Sequence, residues 1–136
     1  MEPDDFIWRV SAYGIFQKDN KILMVQERWA KTWEFPGGGV HKDETIEQGL
    51  IREYKEETGL EVEVGKLLII RDGWFYDEDH FQGWRTVRLF YQIKQSRGQI
   101  QKNGNNDDVM ACQWKEKQEF TTQNTRANIL EMLQEI

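Results

Sequence analysis

The architecture of this 136-residue chain depends on residues 37–60, GGGVHKDETIEQGLIREYKEETGL. Three glycines follow Pro36 and permit close approach of the backbone to a ligand or a metal ion. Residues 45–58 contain no proline and only Gly49 as a glycine, so they predict a helix. Gly59 stands where the end of a helix favours a left-handed residue. The stretch therefore predicts a glycine loop, a helix and a glycine stop.

The acidic residues of this predicted helix lie beside its apolar side. At about 100° per residue, Ile46 and Leu50 fall within about 60° of Glu53 and Glu57. Tyr54 continues the apolar side. A solvated run of charges would lie on the opposite face. We therefore expect carboxylates at the boundary of the core.

Three carboxylates share about 100° of the helix surface, because Glu56 lies about 60° to one side of Glu53 and Glu57 about 40° to the other. Like charges so close repel each other, and partial burial raises the cost, so a cation must compensate. Arg52 is one candidate, and a hard divalent ion that takes oxygen ligands is the other. An ordinary surface helix with an Arg52–Glu56 pair is the alternative. The glycine loop at a fixed distance favours a functional site.

The spacing of these residues resembles the complete Nudix box. Gly38 is followed after five residues by Glu44, and after seven more by Arg52-Glu53-Tyr54-Lys55-Glu56-Glu57-Thr58-Gly59-Leu60. The single departure is Tyr54, where the family usually has an aliphatic residue, and a tyrosine can still pack against the core. The resemblance implies one Nudix hydrolase domain over residues 1–136.

The fold class implied by this resemblance is α/β (α+β), a Nudix-type α/β/α sandwich with a mixed β-sheet between helices. Alternation and turn residues predict strands at residues 6–16, 22–26, 61–71 and 109–114, and a hairpin with arms 73–76 and 84–93. Thr121 or Thr122 is predicted to cap a final helix that carries Ile129, Leu130 and Leu133.

The resemblance also implies a divalent metal, usually Mg²⁺ with Mn²⁺ as an alternative, and hydrolysis of a nucleoside diphosphate linked to another group. The implied metal ligands are the carboxylates of Glu53, Glu56 and Glu57, with the main-chain carbonyl of Gly37 or Gly38 as a further ligand.

Two further residues of the box have implied supporting roles. Arg52 would hold a metal-binding carboxylate in place, and Glu44 would brace Arg52. The reaction also needs a base that takes a proton from water, for which Glu53 is the first candidate. Asp108 is the second, because it precedes Trp114 by six residues, where MutT-type members place a late acid. A plain loop acid is an equal alternative for Asp108.

Three features resemble the MutT branch, which removes pyrophosphate from nucleoside triphosphates, including oxidised purine nucleotides. Arg28 would lie near the phosphates, and Phe35, in the stretch that leads into the box, is a candidate substrate contact. Asn124 would read a purine edge, since its amide offers a donor and an acceptor. The plain alternatives are a surface arginine, a generic lead-in and a capping asparagine. We expect cleavage of a nucleoside triphosphate, with an oxidised purine nucleotide as the first candidate, to a nucleoside monophosphate and pyrophosphate.

Other substrates and a non-catalytic role stay open. Tyr76 lies 16 residues beyond Leu60, near where dinucleoside polyphosphate hydrolases carry a tyrosine. ADP-ribose and nucleotide sugars are further alternatives. A nucleotide sensor without turnover is disfavoured, because such family members generally lose box carboxylates that this chain keeps. Base stacking is expected from one or two of the aromatic residues Trp29, Trp33, Trp74, Tyr76, Phe81 and Trp84.

Composition limits the partners and the compartment. The net charge of −6 argues against broad binding of nucleic acids or anionic membranes. Cys112 is the only cysteine, which excludes an internal disulfide and fits a reducing compartment. No apolar run approaches the length of a membrane span. We expect a cytoplasmic monomer or homodimer whose partner is a small nucleotide.

Overall fold

A computed structural model describes residues 2–136 of the chain. The strands are β1 (Phe6–Ile15), β2 (Gln17–Lys18), β3 (Lys21–Glu27), β4 (Trp33–Glu34), β5 (Gly37–Gly39), β6 (Glu61–Asp77), β7 (Gln82–Arg97) and β8 (Val109–Glu116). The α-helices are α1 (Ile46–Thr58) and α2 (Ala127–Glu135), and short 3-10 helices cover Pro3–Asp5 and Lys117–Glu119.

The strands form two four-stranded sheets. The first has the order β5-β1-β7-β6, with β1 and β7 parallel and the outer pairs antiparallel, so this sheet is mixed. In the second, β3 pairs antiparallel with β2, β4 and β8. The prediction of a mixed sheet is confirmed, and the structure adds that β3 and its partners form a separate sheet.

The two helices cover opposite sides of the sheets. Leu50 and Tyr54 of α1 pack in a cluster with Ala12 of β1, whereas Met132 of α2 packs in a second cluster with Ile15 of the same strand. Successive side chains of a strand point to opposite faces, and positions 12 and 15 are on opposite faces. The structure therefore confirms the α/β/α sandwich.

Helix α1 begins and ends with the residues predicted from the sequence. The Thr45 hydroxyl accepts a hydrogen bond from the Gln48 main-chain nitrogen at 3.1 Å, and Gly59 has a left-handed φ of 85°. Tyr54 is completely buried and donates from its hydroxyl to the Gly14 carbonyl at 3.2 Å. The prediction that Ile46 belongs to the buried apolar side of the helix is wrong, because this residue, the first of α1, is 36% exposed.

Two predicted boundaries are wrong. β6 is one strand of 17 residues, because Gly73 stays paired with Thr86 of β7 and does not interrupt the ladder. The final helix starts after Arg126 rather than at the threonines. The Thr121 main-chain nitrogen instead donates to Asn124 Oδ1 at 2.8 Å, which closes a turn before α2. Neither helix within residues 2–136 is both long and apolar enough to cross a membrane.

Candidate active site

The glycine strand β5 brings α1 close to the first sheet. Gly37 has a φ of 149°, and a Cβ atom there would lie 2.1 Å from the Ala12 carbonyl oxygen, so this position requires glycine. Its main-chain nitrogen donates to Glu57 Oε1 at 2.9 Å. This hydrogen bond fixes the carboxylate of α1 against the edge of the sheet.

Gly38 lies directly beneath the carboxyl group of Glu53. A Cβ atom at Gly38 would lie 2.8 Å from Glu53 Cδ and 3.0 Å from each carboxylate oxygen. Any side chain at this position would therefore displace Glu53. The glycine loop and the helix acids, which the sequence predicts as neighbours, are in contact.

Arg52 holds the acidic side of α1 and the glycine strand together. Its Nε and Nη2 donate to the two carboxylate oxygens of Glu44 at 3.1 and 2.7 Å, and Nη2 also donates to the Gly39 carbonyl at 3.0 Å. Nη1 donates to Glu53 at 3.1 Å and to Glu56 at 3.2 Å. Its hydrogen bonds lower the pKa of Glu44 to about 2. The contacts have the form expected of Arg52 and Glu44 as supporting residues.

An acidic cavity of about 190 Å³ lies between the glycine strand, α1 and the second sheet. Five carboxylic acids line it, and Arg9 is the one basic residue among its lining residues within the described chain. The acids are Glu27, Glu34, Glu53, Glu57 and Asp108. Such a concentration of negative charge attracts a cation.

Burial and mutual repulsion disturb the titration of these acids. Glu57 is only 6% exposed, and burial, with the charges of Glu53, Asp108 and Glu34 as smaller causes, raises its pKa to about 9. Burial likewise raises the pKa of Glu53, against the hydrogen bond from Arg52 that lowers it. Without a cation, these acids oppose one another's ionisation.

The donor chemistry of the site fits a hard divalent cation, because carboxylate and carbonyl oxygens are the ligands that Mg²⁺ takes. Within residues 2–136, however, no three Asp, Glu, His or Cys side chains converge on a common metal position. On α1, Glu56 does not converge with Glu53 and Glu57, since its half-exposed carboxylate lies against Arg52. Glu56 would join them only after leaving Arg52.

Asp108 and Arg28 come together at the edge of the cavity. Asp108 lines it and accepts a hydrogen bond from the Asn105 side chain at 3.0 Å. The guanidinium of Arg28 donates to the main-chain carbonyls of Asp107 and Val109. Arg28 thus ties the end of β3 to the start of β8, with its Nε and Nη2 directed at the backbone. Its contact with phosphates stays a prediction.

The other predicted substrate residues also have structural partners. Phe35 is 1% exposed and packs edge-on against Phe90, although it borders the acidic cavity. The amide of Asn124 donates to the Glu119 carbonyl at 3.0 Å and accepts from Thr121 and Thr125. In this conformation both ends of the amide are engaged within the turn, and base reading by Asn124 stays a prediction.

A second cavity of about 80 Å³ adjoins the acidic one and shares Tyr13, Glu34 and Phe35 with it. Sequence reasoning missed its polar residues Arg88, Arg126 and Asn128, and it also missed Arg9. Strand alternation could have found Arg9 and Tyr13, since both lie on one face of β1. None of the six aromatic residues proposed for stacking lines either cavity.

The family model of the NUDIX domain matches residues 5–135. An ADP-ribose pyrophosphatase from Methanocaldococcus jannaschii is 44% identical over 62 residues, which cover 43% of this chain and 37% of that protein. A CTP pyrophosphohydrolase from Escherichia coli is 45% identical over 57 residues, covering 39% of this chain and 42% of that protein. The chain therefore spans well under two thirds of these curated relatives.

Solved structures share the fold. The crystal structure of a MutT NUDIX hydrolase from Burkholderia pseudomallei superposes with a TM-score of 0.77 at 24% identity. The superposition covers 96% of this chain and 98% of that chain. The family match over almost the whole chain agrees with the site, in which the glycine strand lies against the carboxylates of α1 that Arg52 braces. This chain belongs to the Nudix family.

Proposed function

We propose that this protein is a metal-dependent pyrophosphohydrolase that cleaves a nucleoside diphosphate linked to another group. The proposed substrate is a nucleoside triphosphate, and the products are a nucleoside monophosphate and pyrophosphate. The observation that carries the proposal is the acidic cavity beside the glycine strand, where five carboxylic acids meet one arginine. An anionic phosphate chain enters such a cavity only together with cations.

The acids of α1 would hold the metal. Glu53, Glu56 and Glu57 would supply carboxylate oxygens, and the carbonyl of Gly37 or Gly38 would supply another. Bound Mg²⁺, or Mn²⁺ in its place, would neutralise charge on the phosphate oxygens and lower the pKa of water. The raised pKa of Glu57 supports this assignment, because burial and the neighbouring acids leave its carboxylate without a compensating charge.

The chain's own residues would position the substrate and move the proton. Glu53 lies on Gly38 at the cavity and is held by Arg52, so it remains the first candidate for the base that takes the proton of the attacking water. Asp108, across the same cavity, is the second. A Cβ atom at Gly39 would lie 3.3 Å from a guanidinium nitrogen of Arg9, so this arginine lies over the glycine strand, where it would contact a phosphate.

Product analysis with Mg²⁺ on a panel of substrates tests the proposal. The panel contains dGTP, 8-oxo-dGTP, ADP-ribose, a dinucleoside tetraphosphate and a nucleotide sugar. Each is incubated with the wild type, with Glu57→Gln and with Glu47→Gln, which changes an exposed acid of the same helix. Pyrophosphate and a monophosphate formed by the wild type and by Glu47→Gln, but not by Glu57→Gln, is the expected result.

ADP-ribose is the second candidate substrate, favoured by the relative named ADP-ribose pyrophosphatase, which is 44% identical over 62 residues. Turnover of ADP-ribose alone would keep the metal assignment and replace the triphosphate. Binding of a nucleotide without any product would instead favour the sensor. Cytoplasmic location and a monomeric or homodimeric state remain predictions.

A further inference from the structure

Arg88 of β7 carries a buried donor that the packing of the described residues leaves unsatisfied. Its Nε atom is buried and donates to no acceptor within residues 2–136. An unsatisfied buried donor costs about 1 to 3 kcal/mol. The chain carries 24 acidic and 18 basic residues, so acids are not scarce. Other arginines form ion pairs, namely Arg52, Arg71, Arg85, Arg97 and Arg126.

The neighbours of Arg88 on the sheet make its position less favourable still. Arg71 of β6 is its direct cross-strand partner, and like charges in such pairs are destabilising. Arg71 itself is paired with Glu135 at 2.9 Å, whereas Arg88 is left with the 80 Å³ cavity that it lines. Within residues 2–136 no carboxylate forms an ion pair with Arg88, so its charge is available to a ligand in the cavity.

The other lining residues indicate the shape and the charge of that ligand. The walls include the aromatic rings of Tyr13 and Phe90, which stack at 5.1 Å, and the edge of Phe35. Arg126 lies 3.6 Å from the carboxylate of Glu34, so its charge is already compensated. The flat aromatic walls suit a planar group better than a tetrahedral phosphate group. A neutral, planar group that presents hydrogen-bond acceptors fits this cavity better.

The position of the cavity relates it to the rest of the substrate. It shares Tyr13, Glu34 and Phe35 with the acidic cavity, so a molecule whose phosphates lie at the acids of α1 can place another group against Arg88. The volume of about 80 Å³ admits one edge of a ring system rather than a whole nucleotide. Asn128 adds an amide beside the guanidinium.

We propose that Arg88 is a specificity-determining residue that reads the nucleobase, and that the preferred base is guanine. Guanine presents the adjacent acceptors O6 and N7, which match the donor fork of arginine, whereas adenine presents an amino donor beside N7. In 8-oxoguanine N7 carries a proton, so the oxidised base loses one of these acceptors. This inference rests on the proposed function. It names the nucleobase of the substrate and assigns recognition of that nucleobase to Arg88 with Asn128.

Kinetics of Arg88→Met test the inference, with Arg71→Met as the matched control on the neighbouring strand. The substrates are dGTP, 7-deaza-dGTP, which lacks only the N7 acceptor, 8-oxo-dGTP and dATP. We expect the wild type to prefer dGTP over each of the others by about 5- to 150-fold in kcat/KM, the range of a bidentate arginine–guanine contact. In Arg88→Met the preference should collapse through a higher KM for dGTP at unchanged kcat. Arg71→Met should keep it.

Calorimetric binding of dGMP, 7-deaza-dGMP and dAMP to the same variants gives a readout that needs no turnover. The inference is overturned if Arg88→Met binds dGMP as tightly as the wild type, or if it weakens all nucleotides equally. If no triphosphate is hydrolysed but dGMP binding still depends on Arg88, the proposed function fails and the base assignment stands. If dGTP is hydrolysed without any preference over dATP, the base assignment fails and the proposed function stands.

Discussion

Replacement of Glu57 by glutamine should stabilise the metal-free protein, increasingly so as the pH rises. Burial raises the pKa of Glu57 to about 9, so in the folded state its carboxyl group stays protonated at neutral pH. In the unfolded chain it ionises with the ordinary glutamate pKa of 4.5. The contribution of Glu57 to stability is therefore fully present below about pH 4.5 and is lost progressively as the pH rises to about 9.

The magnitude follows from proton linkage. One proton released on unfolding lowers the free energy of unfolding by about 1.4 kcal/mol per pH unit. Between about pH 5.5 and about pH 7.5 the wild type should therefore lose about 2 to 3 kcal/mol relative to Glu57→Gln, which has no such group. In a domain of this size that corresponds to about 6 to 12 °C in the midpoint of thermal unfolding.

Thermal unfolding in a chelator at several pH values measures this difference. Glu47→Gln is the control, because this exposed acid lies on the same helix and should unfold in parallel with the wild type. Added Mg²⁺ at neutral pH should raise the midpoint of the wild type far more than that of Glu57→Gln, since the proposed metal would bind the ionised carboxylate. Parallel pH profiles for Glu57→Gln and the wild type would refute the reasoning, because Glu57 would then be ionised in the folded protein without a metal.

Three further substitutions have defined outcomes. Gly38→Ala should lower kcat about 100-fold by pushing the carboxylate of Glu53 from its place, while circular dichroism shows an intact fold; unchanged turnover would contradict this contact. Arg52→Lys should weaken activity or metal affinity by about 10- to 100-fold, measured by metal titration, because lysine cannot bind Glu44 through a bidentate fork. Tyr54→Phe should lower the free energy of denaturant unfolding by about 1 kcal/mol with kcat retained, and equal stability would show that the hydroxyl contributes nothing.

Local signals account for the part of the site that the sequence predicted. Thr45 and Gly59 act on their own helix ends, and the spacing from Gly38 to Glu57 is contained in one continuous stretch. The contact between Gly38 and Glu53 follows from a short loop and a regular helix. The predicted extent of α1 and the closeness of the glycine loop to its acids were therefore confirmed.

Pairing between distant strands accounts for what was missed. Arg88 is aligned with Ser11 through the parallel register of β1 and β7, which no local pattern specifies. The continuity of β6 through Gly73 depends likewise on its pairing with β7. The sequence shows the amide of Asn124 but not the turn that engages it.

The central place of β1 has a consequence for how the substrate range of such an enzyme can change. One edge of β1 holds the glycine strand and the other holds β7, and Tyr13 borders both cavities. The spacing between the proposed site of hydrolysis and the proposed nucleobase site is thus set by the width of a single strand. Substitutions on β7 and α2 can therefore alter which nucleotide is bound, while the distance between the nucleobase site and the scissile bond stays the same.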